Sequence, residues 1–195
     1  MIANLPFQTV CAALVATVCC TATSSAARVQ RARITHAENK VSIAGQPAGV
    51  GATVAAGQTI VTGSRSRAEV TLPDGTVARI GQGSSFSYDG SKLTLNQGSA
   101  LFNLAGKNTK IVTPALTRTG SAGVVSVHAS QSYNALFALK GSDTVNGSPL
   151  VAGQAWVSES GGPRTFTFDM QKMVGTSTLV TKFPQTPWVA RRASP

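Results

Sequence analysis

Few residues of this chain can do chemistry, and they are scattered. Its 195 residues hold two histidines, His36 and His128, and seven Asp or Glu side chains. Ser126, His128 and Asp143 are the residue types of a nucleophilic triad, in which a base takes the serine proton and a carboxylate orients the base. Their setting argues against one. No Gly-x-Ser-x-Gly elbow surrounds Ser126, and two residues apart on a strand Ser126 and His128 share a face. A zinc site needs several converging His, Asp or Glu side chains. His36 and Glu38 are the nearest pair, and they lack further ligands close by. Asp74-Gly75 and Asp89-Gly90 lack the dense oxygen spacing of a calcium loop and read as turns. No Gly-x-Gly-x-x-Gly runs from a strand into a helix, so no phosphate loop is expected. The inventory predicts no catalytic residues, no metal site and no cofactor.

The aromatics Phe86, Tyr88, Phe102, Tyr133, Phe137, Trp156, Phe166 and Phe168 mostly fall in predicted strands, where core packing is their default. Tyr88 and Trp156 are the pair left to form an exposed sugar-stacking platform.

Composition narrows the class. Charged residues are only 12% of the chain and glycines number 19, which disfavours a coiled coil or charge-rich helical protein. Lys and Arg number 17, giving a net charge of +10. That excess favours an anionic partner such as envelope lipid or an acidic polymer. Residues 1–27 carry no charged side chain, and an apolar run over 10–20 leads into small residues ending at Ala26-Ala27. This is the order of a secretory signal peptide. The run is short of the roughly 20 residues that span a bilayer, so cleavage is expected over a stable membrane span. All three cysteines, Cys11, Cys19 and Cys20, lie in this segment, so the mature chain would hold none. Neither Cys19 nor Cys20 has the preceding residues of a lipidation site. An exported chain is expected to be periplasmic or secreted, with no nucleic-acid partner.

The elements between are short strands. Ala68, Val70 and Leu72 alternate with Arg67, Glu69 and Thr71, the period of a half-buried strand. Pro73-Asp74-Gly75 is a turn: proline sets the entry and glycine takes positive φ at little cost. Strands are predicted over residues 40–44, 85–88, 92–95, 99–104, 124–128 and 133–139, with a turn at Asn96-Gln97-Gly98 between two of them. Pro114 has no N–H for a ladder and belongs at a strand edge or corner. Residues 169–183 change character. Asp169 can cap a helix whose Met170, Met173 and Val174 fall on one face.

The run from Thr62 to Thr76, with Gly63, Ser66, Ala68, Glu69, Val70, Leu72, Asp74 and Gly75, resembles the signature of the FecR-type periplasmic domain. Leu93 to Phe102 around Gly98, the Ile111-Val112-Thr113-Pro114 segment, and Leu150 to Ala155 around Gly153 extend the resemblance over residues 40–160. The chain departs from the family at Gly120-Ser121, where many relatives have Gly-Thr. FecR-type sigma regulators carry a cytoplasmic anti-sigma domain and a transmembrane helix before this domain, and this chain resembles only the last part. The resemblance implies an all-β, antiparallel sandwich or jelly-roll-like domain at 28–168, with one short helix and a basic tail at 169–195. It implies a non-enzymatic binding or scaffolding module in the periplasm or at the cell surface, engaging a protein or envelope partner. A module for carbohydrate or envelope polymer is the alternative.

Protein recovered from its native host is expected to begin at Ala27 or Arg28 on N-terminal sequencing. Intact Met1 in a soluble cytoplasmic fraction would contradict export.

Overall fold

The computed structural model describes residues 31–105 and 109–183. The predicted export segment and the basic tail beyond Phe183 lie outside the described residues. The first strands are β1 (Ala32–Glu38), β2 (Val41–Ile43), β3 (Gln46–Pro47), β4 (Thr53–Val54), β5 (Thr59–Thr62) and β6 (Arg67–Thr71). Next come β7 (Val77–Ile80), β8 (Ser85–Tyr88), β9 (Lys92–Leu104), β10 (Lys110–Val112), β11 (Thr117–Gly120) and β12 (Gly123–Ala129). The last are β13 (Asn134–Lys140), β14 (Ser142–Val145), β15 (Ser148–Val151), β16 (Gln154–Glu159) and β17 (Gly162–Thr167). Two helices follow, α1 (Met170–Thr176) and α2 (Thr178–Thr181). The chain is all-β apart from this C-terminal cap.

Among the described residues the strands form one hydrogen-bonded network of 17 members. It folds over at β9 into two layers. The first runs β4-β1-β6-β7-β9-β12-β13-β16-β17. The second runs β3-β2-β5-β8-β9-β10-β11-β14-β15. Period-2 alternation decides which side chains meet between them. Ala68, Val70, Ala78 and Phe102 from the first layer face Ile60, Phe86, Leu93 and Ile111 from the second, all at most 1% exposed. The Phe86 and Phe102 rings stand 5.8 Å apart across the interface. Each fully buried Leu, Ile or Phe stabilises by about 1.5–3 kcal/mol.

Three expectations need correction. Asn96-Gln97-Gly98 is not a hairpin turn: β9 is continuous over 13 residues. Its first half pairs with β8, up to Gln97 opposite Ser85, and its second half pairs with β12 from Gly98 onward. Glycine and amides imitate a turn here because the strand must bend sharply while keeping its ladders. Nor is the sandwich wholly antiparallel, since β10 runs parallel to the start of β9. The single predicted helix is also two pieces, parted at Ser177, which sits in extended conformation (φ −70°, ψ 120°).

The bend at Gly98 is clamped from three sides. Gly98 has φ +96°, and a Cβ there would strike the Ser84 hydroxyl and come within 2.6 Å of Ser84 Cα. Ser84 Oγ accepts from Ser99 N (3.0 Å) and donates to Ser99 O (3.2 Å). Gly81 N donates to the same Ser99 carbonyl (2.8 Å). Thr62 Oγ1 donates to Gly81 O (2.5 Å) and accepts from Ser84 N (3.0 Å). Gly63 N donates to Lys40 O, tying in the β1–β2 turn. Here β5, the β7–β8 connection and β9 meet in one knot of backbone bonds.

Gly98→Ala is expected to destabilise by about 3 kcal/mol in urea unfolding, combining positive φ with a backbone clash. Gly75→Ala, at φ +84° with only ordinary contact to Ala105 Cβ at 3.6 Å, should cost about 1 kcal/mol. Equal losses at the two sites would contradict the clamp.

Candidate functional site

The outer side of the first layer is roofed by the cap. Leu101, Val124 and Leu139 project outward from β9, β12 and β13 and cluster with Leu179 and Phe183. Phe168, Met170, Met173 and Val174 pack around them. Asp169 begins α1, its Oδ1 accepting from Lys172 N at 2.9 Å. The four-residue α2 is too short to hold itself together, because a helix nucleus fixes several residues for few bonds. Side chains from the sheet finish it. Arg79 Nη1 donates to Leu179 O (3.2 Å) and Arg67 Nη1 to Lys182 O (3.3 Å), taking carbonyls that have no partner further along the helix.

Arg79 is 1% exposed. Glu69 balances its charge (Nε to Oε2 2.9 Å), and its guanidinium lies over the Phe183 ring at 4.9 Å. Phe183 in turn meets His36 edge to face at 5.5 Å. His36 Nε2 is buried with no hydrogen-bond partner among the described residues.

Where the cap's apolar side chains do not land, a cleft remains. It holds about 360 Å³ between Ser99, Ser126, His128 and Phe137 of the sheet and Met173, Ser177, Thr178 and Leu179 of the cap. A smaller cleft of about 190 Å³ adjoins it past Leu179, lined by Ser66, Arg67, Gln82 and Phe183. Burial pulls the His128 imidazole below its ordinary pKa of 6.5, so the ring is neutral at pH 7. The side chains of Ser99, Ser126, His128 and Thr178 make no hydrogen bond with any described residue. Ser126 is nevertheless only 2% exposed.

Ser126 and His128 do share a face, but Asp143 does not join them. Asp143 belongs to β14, in the second layer, and faces inward. Its Oδ1 takes both Nε (2.7 Å) and Nη2 of Arg118. Arg118 also donates to Thr109 O and Ser121 O, both at 2.8 Å. Burial pushes the Asp143 carboxyl up, with Arg118 opposing. Among the described residues no three His, Cys, Asp or Glu side chains gather as a metal group, and no helix is long and apolar enough to cross a membrane.

The turn and motif residues hold the scaffold. Ala68 lies opposite Ile80 in the core. Asp74 accepts from Thr76 N (2.9 Å) and Thr76 Oγ1 (3.0 Å), closing the turn around Gly75. Pro114 is exposed at the corner after β10, beside the Thr113 N to Leu116 O bond. Gly153 turns β15 into β16 and accepts from Phe168 N, leading the chain toward the cap. The sugar platform is overturned. Trp156 is 5% exposed in the core, and Tyr88 packs against that core with its phenol donating to Gly90 O at 2.9 Å. Both alternate onto the inward side of their strands.

Residues 58–142 match the family model described as FecR protein. This chain carries a FecR-type domain. Two crystal structures of a candidate anti-sigma factor from Parabacteroides distasonis ATCC 8503 share its fold, with TM-scores of 0.54 and 0.53 at 20% and 22% identity. Each comparison covers 59% of this chain and 62% of the other, so the chain spans less than two thirds of those proteins. No curated protein matches it. The matched stretch of the FecR-type domain contains the cleft's sheet wall, Ser99 to Phe137, and the Glu69–Arg79 pair. The roof at Met173 to Leu179 lies beyond it. Sequence reading missed the cleft because its roof and wall come from distant segments. One local signal existed: Ser99, Ser126 and His128 are polar at outward positions whose neighbours Leu101 and Val124 are apolar.

Arg79→Met should free the cap, because it leaves Glu69 half of a broken, largely buried pair and removes the donor to Leu179 O. A loss of about 3 kcal/mol is expected, with faster proteolysis at Lys172 and Lys182 than at Lys92. Unchanged cleavage in the cap would contradict this role.

Proposed function

We propose that this FecR-type domain is an exported, non-enzymatic docking module of an envelope-signalling assembly, and that a partner protein adds an extended segment along β17. The open edge of β17 carries the reading. Among the described residues β17 pairs with β16 alone. It is six residues long, and Pro163, Arg164, Thr165 and Thr167 are exposed. The other edges are shorter templates: β3 and β4 have two residues each and β15 has four, whereas β17 keeps four residues beyond Pro163. Strand addition supplies affinity through main-chain bonds and specificity through alternate side chains. The edge already has organised side chains for that purpose. Arg164 Nη2 pairs with Glu159 at 2.7 Å, and its guanidinium lies over Phe166 at 5.2 Å.

Export rests on the uncharged, apolar segment at 1–27. Exposed Lys40, Arg65, Lys110, Lys140 and Lys172 leave a positive surface that would draw an acidic partner or envelope surface toward the domain. A non-enzymatic role agrees with Ser126 and His128 lacking a carboxylate to orient the base. The relation to signalling rests on the FecR-type domain and on the fold shared with the candidate anti-sigma factor.

A photo-crosslinking side chain at Thr165 should give a discrete adduct in the native envelope, and one at Thr144, on the outer face of the second layer, should not. Thr165→Lys with Thr167→Lys, charges of the kind that guard natural edges, should abolish the adduct while stability changes by no more than about 0.5 kcal/mol. Adducts from Thr144 alone would refute the edge assignment.

A further inference from the structure

We propose that the cleft between the outer face of the first layer and the helical cap binds a neutral sugar unit of monosaccharide size. Its polar groups are the first argument. Ser126 is 2% exposed, lines the cleft and makes no hydrogen bond with a described residue. Ser99, His128 and Thr178 line the same space with no side-chain hydrogen bond to a described residue. Buried Ser126, half-buried Ser99 and His128, and exposed Thr178 thus turn free donors and acceptors onto one cavity. Water can meet these groups in the cleft, and a ligand that displaces it must supply the same hydrogen bonds.

The chemistry of the lining selects the occupant. Hydroxyls both donate and accept, as does a neutral imidazole. A ligand that matches them all has groups that also do both, which describes a polyol. No charged side chain lines the 360 Å³ cleft, so an ionic ligand would be desolvated without a counter-charge. Phe137, Met173 and Leu179 supply an apolar wall for the C–H face of a pyranose. The volume lies at the lower end of small-molecule sites, enough for one ring. This site is separate from the β17 edge, so either reading can fail without the other.

The test is a titration followed by nuclear magnetic resonance, reading the Met173 methyl and the His128 ring protons on the mature chain. Glucose and N-acetylglucosamine are the probes, with glucuronate as the charged comparison. A saturable shift at both reporters is expected with at least one neutral sugar, at a dissociation constant on the order of 1 mM for a ligand of this size. Glucuronate should bind about tenfold more weakly, and Ser126→Val should weaken the neutral sugar about tenfold. Should Ser126→Val not fold, Phe137→Leu, which removes the ring wall, replaces it with the same expectation. Gln131→Ala, in a separate polar groove, should change nothing. No saturable shift with either sugar overturns the proposal. Equal binding of glucuronate, or undiminished binding in the folded cleft variants, also overturns it. The Thr165→Lys, Thr167→Lys chain should keep the sugar shift whatever becomes of its partner.

Discussion

The whole fold depends on one strand belonging to two sheets. β9 leaves the second layer at Gln97 and enters the first at Gly98, and every other strand is placed by its distance from that crossing. A bend of this kind exposes backbone groups that must find partners away from a regular ladder. Ser84, Thr62 and Gly81 provide them, with bonds of 2.5–3.2 Å around Ser99 and Gly98. The Thr62-Gly63 pair and Gly98 are therefore needed at one place, although 36 positions separate the extremes in the chain. Of the residues that carried the resemblance to a FecR-type domain, Thr62, Gly63 and Gly98 meet at this corner, while Ala68, Asp74, Gly75, Pro114 and Gly153 hold strands and turns elsewhere.

What could be read from sequence divides along the same line. β6 and the turn at Asp74-Gly75 were legible because alternation and turn chemistry are local. β9 was misread because Asn96-Gln97-Gly98 has turn composition, and only the pairing of Ser85 with Gln97 and Ala129 with Gly98 shows a strand passing through. The helical face of Met170, Met173 and Val174 was visible, yet the break at Ser177 was not. It follows from contacts with Arg79 and Arg67, which lie about 100 residues earlier. Trp156 and Tyr88 were offered as exposed aromatics because strand membership alone does not say which face is inward.

The two buried arginines show how the same pair of charges can serve different ends. Arg118 is enclosed with Asp143 inside the sandwich and spends its remaining donors on the carbonyls of Thr109 and Ser121. It ties the loop before β10 and the loop before β12 to β14. A buried pair of this sort adds little net stability over apolar residues but is costly to break, so its effect is to fix the geometry of those loops. Arg79 is enclosed on the outside, with Glu69 behind it and Phe183 across its face. Its Nη1 reaches a helix carbonyl instead of a loop.

That difference explains the cleft. The cap is seven and four residues of helix that would not persist alone. Its position is set at one end by Asp169 and Met170 near Gly153, and at the other by Arg79, Arg67 and Phe183. Between those anchors Ser177 breaks the helix, and the cleft lies over Ser99, Ser126 and His128. Had the helix continued unbroken, an apolar residue in register with Met173 would be expected to cover them, and polar residues at those outward positions would be unfavourable. The polar wall and the broken roof thus belong together. The Glu69 of the domain's signature acts through Arg79 on a segment that lies outside the matched family stretch.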